Sequence, residues 1–207
     1  SVQITLKANV TKESNMIIVS LDVGYINMGI TKAIIDDDFN ITFTEAFKID
    51  LTRTIHKKVA IEECTIPHTK ETCDRVAHFL QEHESLFNEA DHVLIERQPI
   101  MGMKDVEGLI MSRFRHKTTL VSPNKMHKFF NIRHLDYDER KVATEQIADL
   151  HIGHIHTYAN CARKHDMADA VCICIVFVHA MKREHELKQK YENMKRLPFD
   201  EYRLIPK

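Results

Sequence analysis

The stretch Met16-Ile17-Ile18-Val19-Ser20-Leu21-Asp22-Val23-Gly24 decides how the rest of the chain is read. Ile17 to Val19 is a β-branched apolar run, the mark of a strand buried on both faces. A carboxylate, Asp22, closes that run. Burying an unpaired carboxylate is costly, so Asp22 calls for an arginine, a set of backbone donors or a metal ion. Gly24 follows and lets the backbone turn or approach a ligand closely. Alone, the motif reads better as an ordinary strand-end turn, since Asp-x-Gly after a strand is common. Chemistry requires further acids in comparable places.

Working outward, Gly29 to Ile35 reads as a second strand and Ile41 to Ile49 as a third, joined by a turn at Asp36-Asp37-Asp38. Short connections make these an antiparallel meander. The triple aspartate is expected to be a solvated turn rather than a metal site. Glu71 to Ala90 has the apolar spacing of a helix. Asp91 to Pro99 then repeats the opening pattern, with Val93-Leu94-Ile95 ending in Glu96. A helical crossover before it sets this strand parallel to the first. Ends of neighbouring strands lie about 5 Å apart, so Asp22 and Glu96 are expected to face one another.

Met103 to Lys117 reads as a helix, Thr118 to Val121 as a short strand, Asn124 to Phe130 as a helical turn and Asp138 to Leu150 as a helix. Residues 151–164 read as a weakly structured, His-rich connection. The run after Asp166 is β-branched enough to suggest a strand, but its continuation through Met181 favours a buried helix. The fold class is therefore α/β. A mixed sheet of about five strands, a meander followed by parallel strands, is flanked by helices. Residues 1–15 are expected to form a tail or added strand, 16–182 the domain, and 183–207 a charged, helical extension.

Lys164-His165-Asp166-Met167-Ala168-Asp169 carries the third acidic signal. In the first turn of a helix, Asp166 and Asp169 share a face. Favourable interaction with the helix dipole accounts for them equally well in isolation. Together, Asp22, Glu96, Asp166 and Asp169 form a constellation from two adjacent strand ends and one helix. Four converging carboxylates repel unless a cation neutralises them. All-oxygen ligands suit Mg²⁺ or Mn²⁺ rather than zinc. Two such ions about 4 Å apart stabilise both the attacking and leaving oxygens of a phosphodiester displacement.

Composition narrows the alternatives. The 207 residues, 43% hydrophobic and 29% charged, suit one globular domain. A net charge of −1 gives no global attraction to nucleic acid or membrane, so such binding must be local. Five cysteines without C-x-x-C spacing argue for reduced thiols inside a cell, and the 14 histidines show no zinc-site spacing. The longest apolar run, Ala170 to Val178, is too short to span a bilayer. No membrane partner is therefore expected, and with no P-loop or G-x-G-x-x-G no small-molecule cofactor is expected either.

Leu-Asp-Val-Gly-x-x-Asn at 21–27, Ile-Glu-Arg-Gln-Pro at 95–99, Val-Ser-Pro at 121–123, Tyr-Asp-Glu-Arg-Lys at 137–141 and Asp-Met-Ala-Asp-Ala at 166–170 resemble, in order and spacing, the Holliday junction resolvases. The resemblance is to the poxvirus-type branch of the RuvC group and covers about 16–182. It implies an RNase H-like fold and a metal-dependent endonuclease that resolves four-way DNA junctions by paired nicks. It further implies a homodimer and 5′-phosphate and 3′-hydroxyl products. Asp22, Glu96, Asp166 and Asp169 would be the catalytic acids, holding two Mg²⁺ ions that Mn²⁺ can replace. The location would be cytoplasmic for a virus that replicates there. Tyr25-Ile26 departs from the branch, which usually carries a basic residue before the Asn.

Between Glu107 and Asp136 the chain has no acid but holds Arg113, Arg115, Lys117, Lys125, Lys128 and Arg133, with Phe114, Phe129 and Phe130 interleaved. This is either a phosphate-following tract or an ordinary solvated face. Lys125, Lys128, Arg140, Lys141 and Lys164 are the expected DNA contacts; Arg163 or Lys164 either neutralises phosphate charge or, as suits at least one of them better, simply solvates a helix end. The apolar stripe of the 103–117 helix is either core or a dimer face. Three other functions compete: an RNase H-like nuclease acting on RNA or linear DNA, a non-catalytic junction-binding module, and an actin-like phosphotransferase, for which the chain is short and lacks a second phosphate loop.

Overall fold

The computed structural model describes residues 15–54 and 64–195. The expected N-terminal tail or strand therefore lies outside the described residues, apart from Asn15, as does the end of the chain beyond Lys195. A five-stranded sheet forms the centre, with β1 (Met16–Asp22), β2 (Met28–Ile35), β3 (Ile41–Ile49), β4 (His92–Glu96) and β5 (Thr118–Val121). Their order is β3-β2-β1-β4-β5. The first three pair antiparallel, and β4 and β5 run parallel to β1. The mixed sheet is thus the one the strand patterns predict.

Helices cover both faces, which is why β1 and β4 carry continuous apolar runs instead of alternating ones. On one face lie α1 (Thr72–Glu82), α2 (Glu84–Glu89) and α3 (Lys104–Arg113). Val19, Leu21, Val93 and Ile95 point towards Val76, Phe79, Phe87, Val106 and Ile110 there. On the other lie α4 (Pro123–Phe129), α5 (Tyr137–Ile152), α6 (His156–Ala159) and α7 (His165–Lys195). Ile18, Ala33 and Leu94 meet Ala148, Ile152, Tyr158, Val171 and Cys174 on that side. Among the described residues, no helix is long and apolar enough to cross a membrane, and all five cysteines are free.

Several expectations shift. The helix read over 71–90 breaks at His83 into α1 and α2, because Phe79, Leu86 and Phe87 all turn into one core. The 103–117 helix ends at Arg113, and its stripe of Val106, Ile110 and Phe114 is core, not an exposed dimer face. The 151–164 connection contains α6, whose Tyr158 is fully buried. The charged extension is no separate element as far as Lys195: α7 runs through residue 182 unbroken for 31 residues. Its buried half is the β-branched 171–178 run, where tertiary packing overrides strand propensity.

Candidate active site

Asp22 is the last residue of β1 and Glu96 the last of β4. The parallel register aligns Leu21 with Ile95, which brings these two acids level at the C-terminal ends of two interior strands. Their carboxyls lie within hydrogen-bonding reach of one another. Asp22 also pairs across the antiparallel ladder with Gly29. The first turn of α7 crosses directly over that glycine. A Cβ on Gly29 would sit 2.0 Å from the Asp166 carbonyl oxygen, so only glycine allows the helix to approach this closely.

A buried polar stitch fixes the same crossing. Ser20 Oγ donates to the Ala170 carbonyl (2.8 Å) and bonds Thr31 Oγ1 (2.7 Å). A carbonyl can only accept, so the Thr31 hydroxyl is the donor in the second bond. Ser20 and Thr31 are fully buried, and together they anchor α7 to β1 and β2 just beyond its two acids.

The result is a cavity of about 300 Å³ lined by Asp22, Glu96, Asp166 and Asp169, with Thr144, Lys141, Arg140 and Arg163 on its walls. A larger cleft of about 580 Å³ lies between α1 and α3, but it holds no comparable charge cluster. In the acidic cavity, burial pushes the Asp22 carboxyl well above the ordinary carboxylate range, and the charges of Glu96 and Asp169 push it further. Burial likewise raises Glu96. Asp169 is pushed up to about 7, first by burial and then by Glu96, against the opposing hydrogen bond from Thr144. These are the shifts expected of buried carboxylates crowded together, where desolvation and mutual repulsion outweigh the cations on the cavity wall.

Asp166 differs from the other three. Arg163 grips it with two bonds, Nε to Oδ2 at 2.8 Å and an Nη to Oδ1 at 3.1 Å. His165 Nε2 lies 3.5 Å from Oδ1 without making a hydrogen bond. Burial lowers its pKa, which keeps the ring neutral near pH 7. Glu96 is held from behind by a relay. Buried Glu107 accepts Lys104 Nζ (2.7 Å) and the Gln98 backbone N–H (2.6 Å), and the Gln98 amide donates to Glu96 (3.2 Å). The donor set is all oxygen, crowded and short of positive charge, which fits a hard divalent cation.

The structure thus gathers the four sequence-predicted acids, with Arg140 and Lys141, around one cavity. It does not gather the other expected DNA contacts there. Lys125 and Lys128 line a separate groove between α4 and α7, beside Phe129, His179 and Arg183. Lys164 turns towards Asp149 (3.6 Å) and lies over the Tyr158 ring (4.8 Å). Lys117, counted in the basic stretch, donates instead to the carbonyls of Phe87 and Ala90 (2.7 and 2.8 Å), where it closes the turn into β4. Thr144, Glu107 and Ser20 were not singled out from sequence. Gly29 carried a readable signal, a glycine inside a strand.

The family model described as Poxvirus A22 protein matches residues 16–182. Solved structures with the same fold include the fowlpox virus resolvase in complex with its substrate Holliday junction DNA. It is 18% identical, with a TM-score of 0.57 over 80% of this chain and 99% of that one. The yeast mitochondrial Holliday junction resolvase Ydc2 is 16% identical, with a TM-score of 0.57 over 86% of this chain and 83% of that one. No curated protein sequence gives a significant match. At such identities the likeness lies in the fold, the RNase H-like sheet with helices on both faces. With four-fifths of its length covered by the family model, the chain belongs to the Poxvirus A22 protein family.

Proposed function

We propose that this chain is a metal-dependent, structure-selective DNA endonuclease that resolves four-way junctions by paired symmetric nicks. The observation that carries the reading is one cavity lined by four acids separated by up to 147 positions in sequence. Asp22, Glu96, Asp166 and Asp169 would hold Mg²⁺, with Mn²⁺ as a substitute and two ions per site. When bound, the metal neutralises the carboxylates and polarises the scissile phosphodiester for attack by water.

The remaining residues orient the substrate. Lys141 and Arg140 on α5 line the same cavity and supply positive charge for a phosphate. Arg163 holds Asp166 in the free protein. Its half-exposed guanidinium lines the same cavity and would also be in place to meet a phosphate there. Thr144 and the Glu107–Gln98 relay fix Asp169 and Glu96. Two symmetric nicks need two such cavities, so the working unit is a homodimer. Free thiols agree with action in a reducing compartment, the cytoplasm for a virus replicating there.

The test is incubation of an end-labelled mobile four-way junction with the protein and Mg²⁺, with products mapped on every strand. Paired nicks leaving 5′-phosphates support the reading. Equal cleavage of linear duplex or RNA–DNA hybrid, or no metal-dependent nicking, overturns it.

A further inference from the structure

A second group of metal-type ligands lies away from the acids. Cys64 and His68 stand in the segment leading into α1, and His78 lies on α1 itself. Their ligand atoms are all within 4.8 Å of one another, and no other three such side chains meet this spacing among the described residues. The Cys-x₃-His-x₉-His spacing matches no common zinc motif, so the sequence showed no zinc site here.

The protonation state of His78 follows from its surroundings. Its Nε2 lies 3.3 Å from the Pro67 carbonyl, which can only accept, so Nε2 carries the proton. Nδ1 is then a bare lone pair on a buried ring, and it faces Cys64 Sγ at 3.9 Å. A histidine whose far nitrogen donates to a backbone carbonyl is arranged as metal-ligating histidines are. The sulfur has three acceptors around it and one proton: the Ile66 carbonyl at 3.8 Å, and His78 Nδ1 and Gln81 Oε1 at 3.9 Å. None of these is a close hydrogen bond. The His68 ring stands edge-on to His78, with centroids 4.7 Å apart, and one of its nitrogens falls within the same 4.8 Å group of ligand atoms.

We infer that Cys64, His68 and His78 form a zinc site distinct from the acidic cavity, clamping the segment before α1 onto that helix. One thiolate and two imidazoles suit Zn²⁺ and not the hard ions that the acids suit. Ligand atoms around tetrahedral zinc lie about 3.5 Å apart, so the observed spacing closes by less than roughly 1.5 Å. Binding releases the Cys64 thiol proton to solvent, while His78 keeps its Nε2 proton. Water or Gln81 Oε1 completes the fourth position. The cavity and the cluster share no residue, so the inference stands whether or not the chain cleaves junctions.

The test uses the full chain, stripped with a chelator and titrated with Co²⁺ alone, then Zn²⁺ alone. The expected result is one tightly bound Co²⁺ with an intense thiolate-to-metal band in the near ultraviolet, displaced by Zn²⁺. Cys64→Ser abolishes the band. His68→Ala, at an exposed position that folding does not depend on, weakens affinity by at least ~100-fold, the upper end for loss of a supporting partner. Cys73→Ser leaves both unchanged. Zn²⁺ raises the Tm of the parent chain but not that of Cys64→Ser. Absence of the band in the parent chain, or a band that survives Cys64→Ser, overturns the site.

Discussion

Two acidic regions of this molecule invite comparison. Asp36, Asp37 and Asp38 are consecutive and make the densest carboxylate run in the chain, yet they form a plain hairpin turn between β2 and β3. Asp36 accepts the backbone N–H groups of Asp38 and Asn40 and the Asn40 amide. Those bonds, Asn40 foremost, hold its carboxyl below the ordinary range. Asp22, Glu96 and Asp169 are remote in sequence, and all three are raised. Density of charge along the chain therefore says little. Enclosure decides: water and amide donors stabilise the first group as anions, while burial makes the second group hold protons or seek a cation.

The sharpest way to break this contrast is substitution. Asp22→Asn or Glu96→Gln is expected to lower junction cleavage at least ~10³-fold, about 4 kcal/mol of lost transition-state stabilisation, while gel-shift binding persists. Retained cleavage would remove the acids from the site. Next, Gly29→Ala forces a Cβ against the Asp166 carbonyl. A cost of about 3 kcal/mol or more is expected, seen as a lowered denaturant midpoint together with loss of cleavage. Unchanged stability would show that the helix crossing is not tight.

The third test is pH. An unfolded aspartate loses its proton near pH 4, whereas Asp169 in the fold keeps it up to about 7. Its contribution to stability is fully present below about pH 4 and is lost as pH rises to 7. Metal-free protein is thus expected to lose up to a few kcal/mol over that window. Asp169→Asn flattens the decline, and Mg²⁺ reverses it. A profile identical in the variant would refute the assignment. Smallest of all, Asp36→Asn is expected to leave the cleavage rate at the parent value, since that turn belongs to solvent. A dependence of cleavage on Asp36 would erase the distinction between the two regions.

Much of the frame was legible. Asp22 and Glu96 could be paired because strand ends after apolar runs have few alternatives, and the crossover rule sets those strands side by side. What stayed hidden depends on contacts between distant segments. Ser20 meets Ala170 across 150 positions, and Gly29 meets Asp166 across the same crossing. Nothing local to Ser20 announces its partner. Basic side chains were the least readable. Lys117, Lys141 and Lys164 are the same residue type, but only packing shows that the first caps carbonyls, the second lies over Tyr137 at the acidic cavity and the third turns to Asp149 and Tyr158. The metal-type cluster around His78 was missed for a related reason, since its tautomer is set by the Pro67 carbonyl and not by spacing.

The length of α7 has a mechanical consequence. At 1.5 Å per residue its 31 residues form a rod about 46 Å long, with no proline or glycine to bend it. Its first turn carries Asp166 and Asp169, and beyond Lys182 its side chains are almost all exposed. The Gly29 contact and the buried run through Val178 clamp its first half to the sheet. The exposed remainder, residues 183–195, projects roughly 20 Å as a stiff continuation of the helix that carries the two acids.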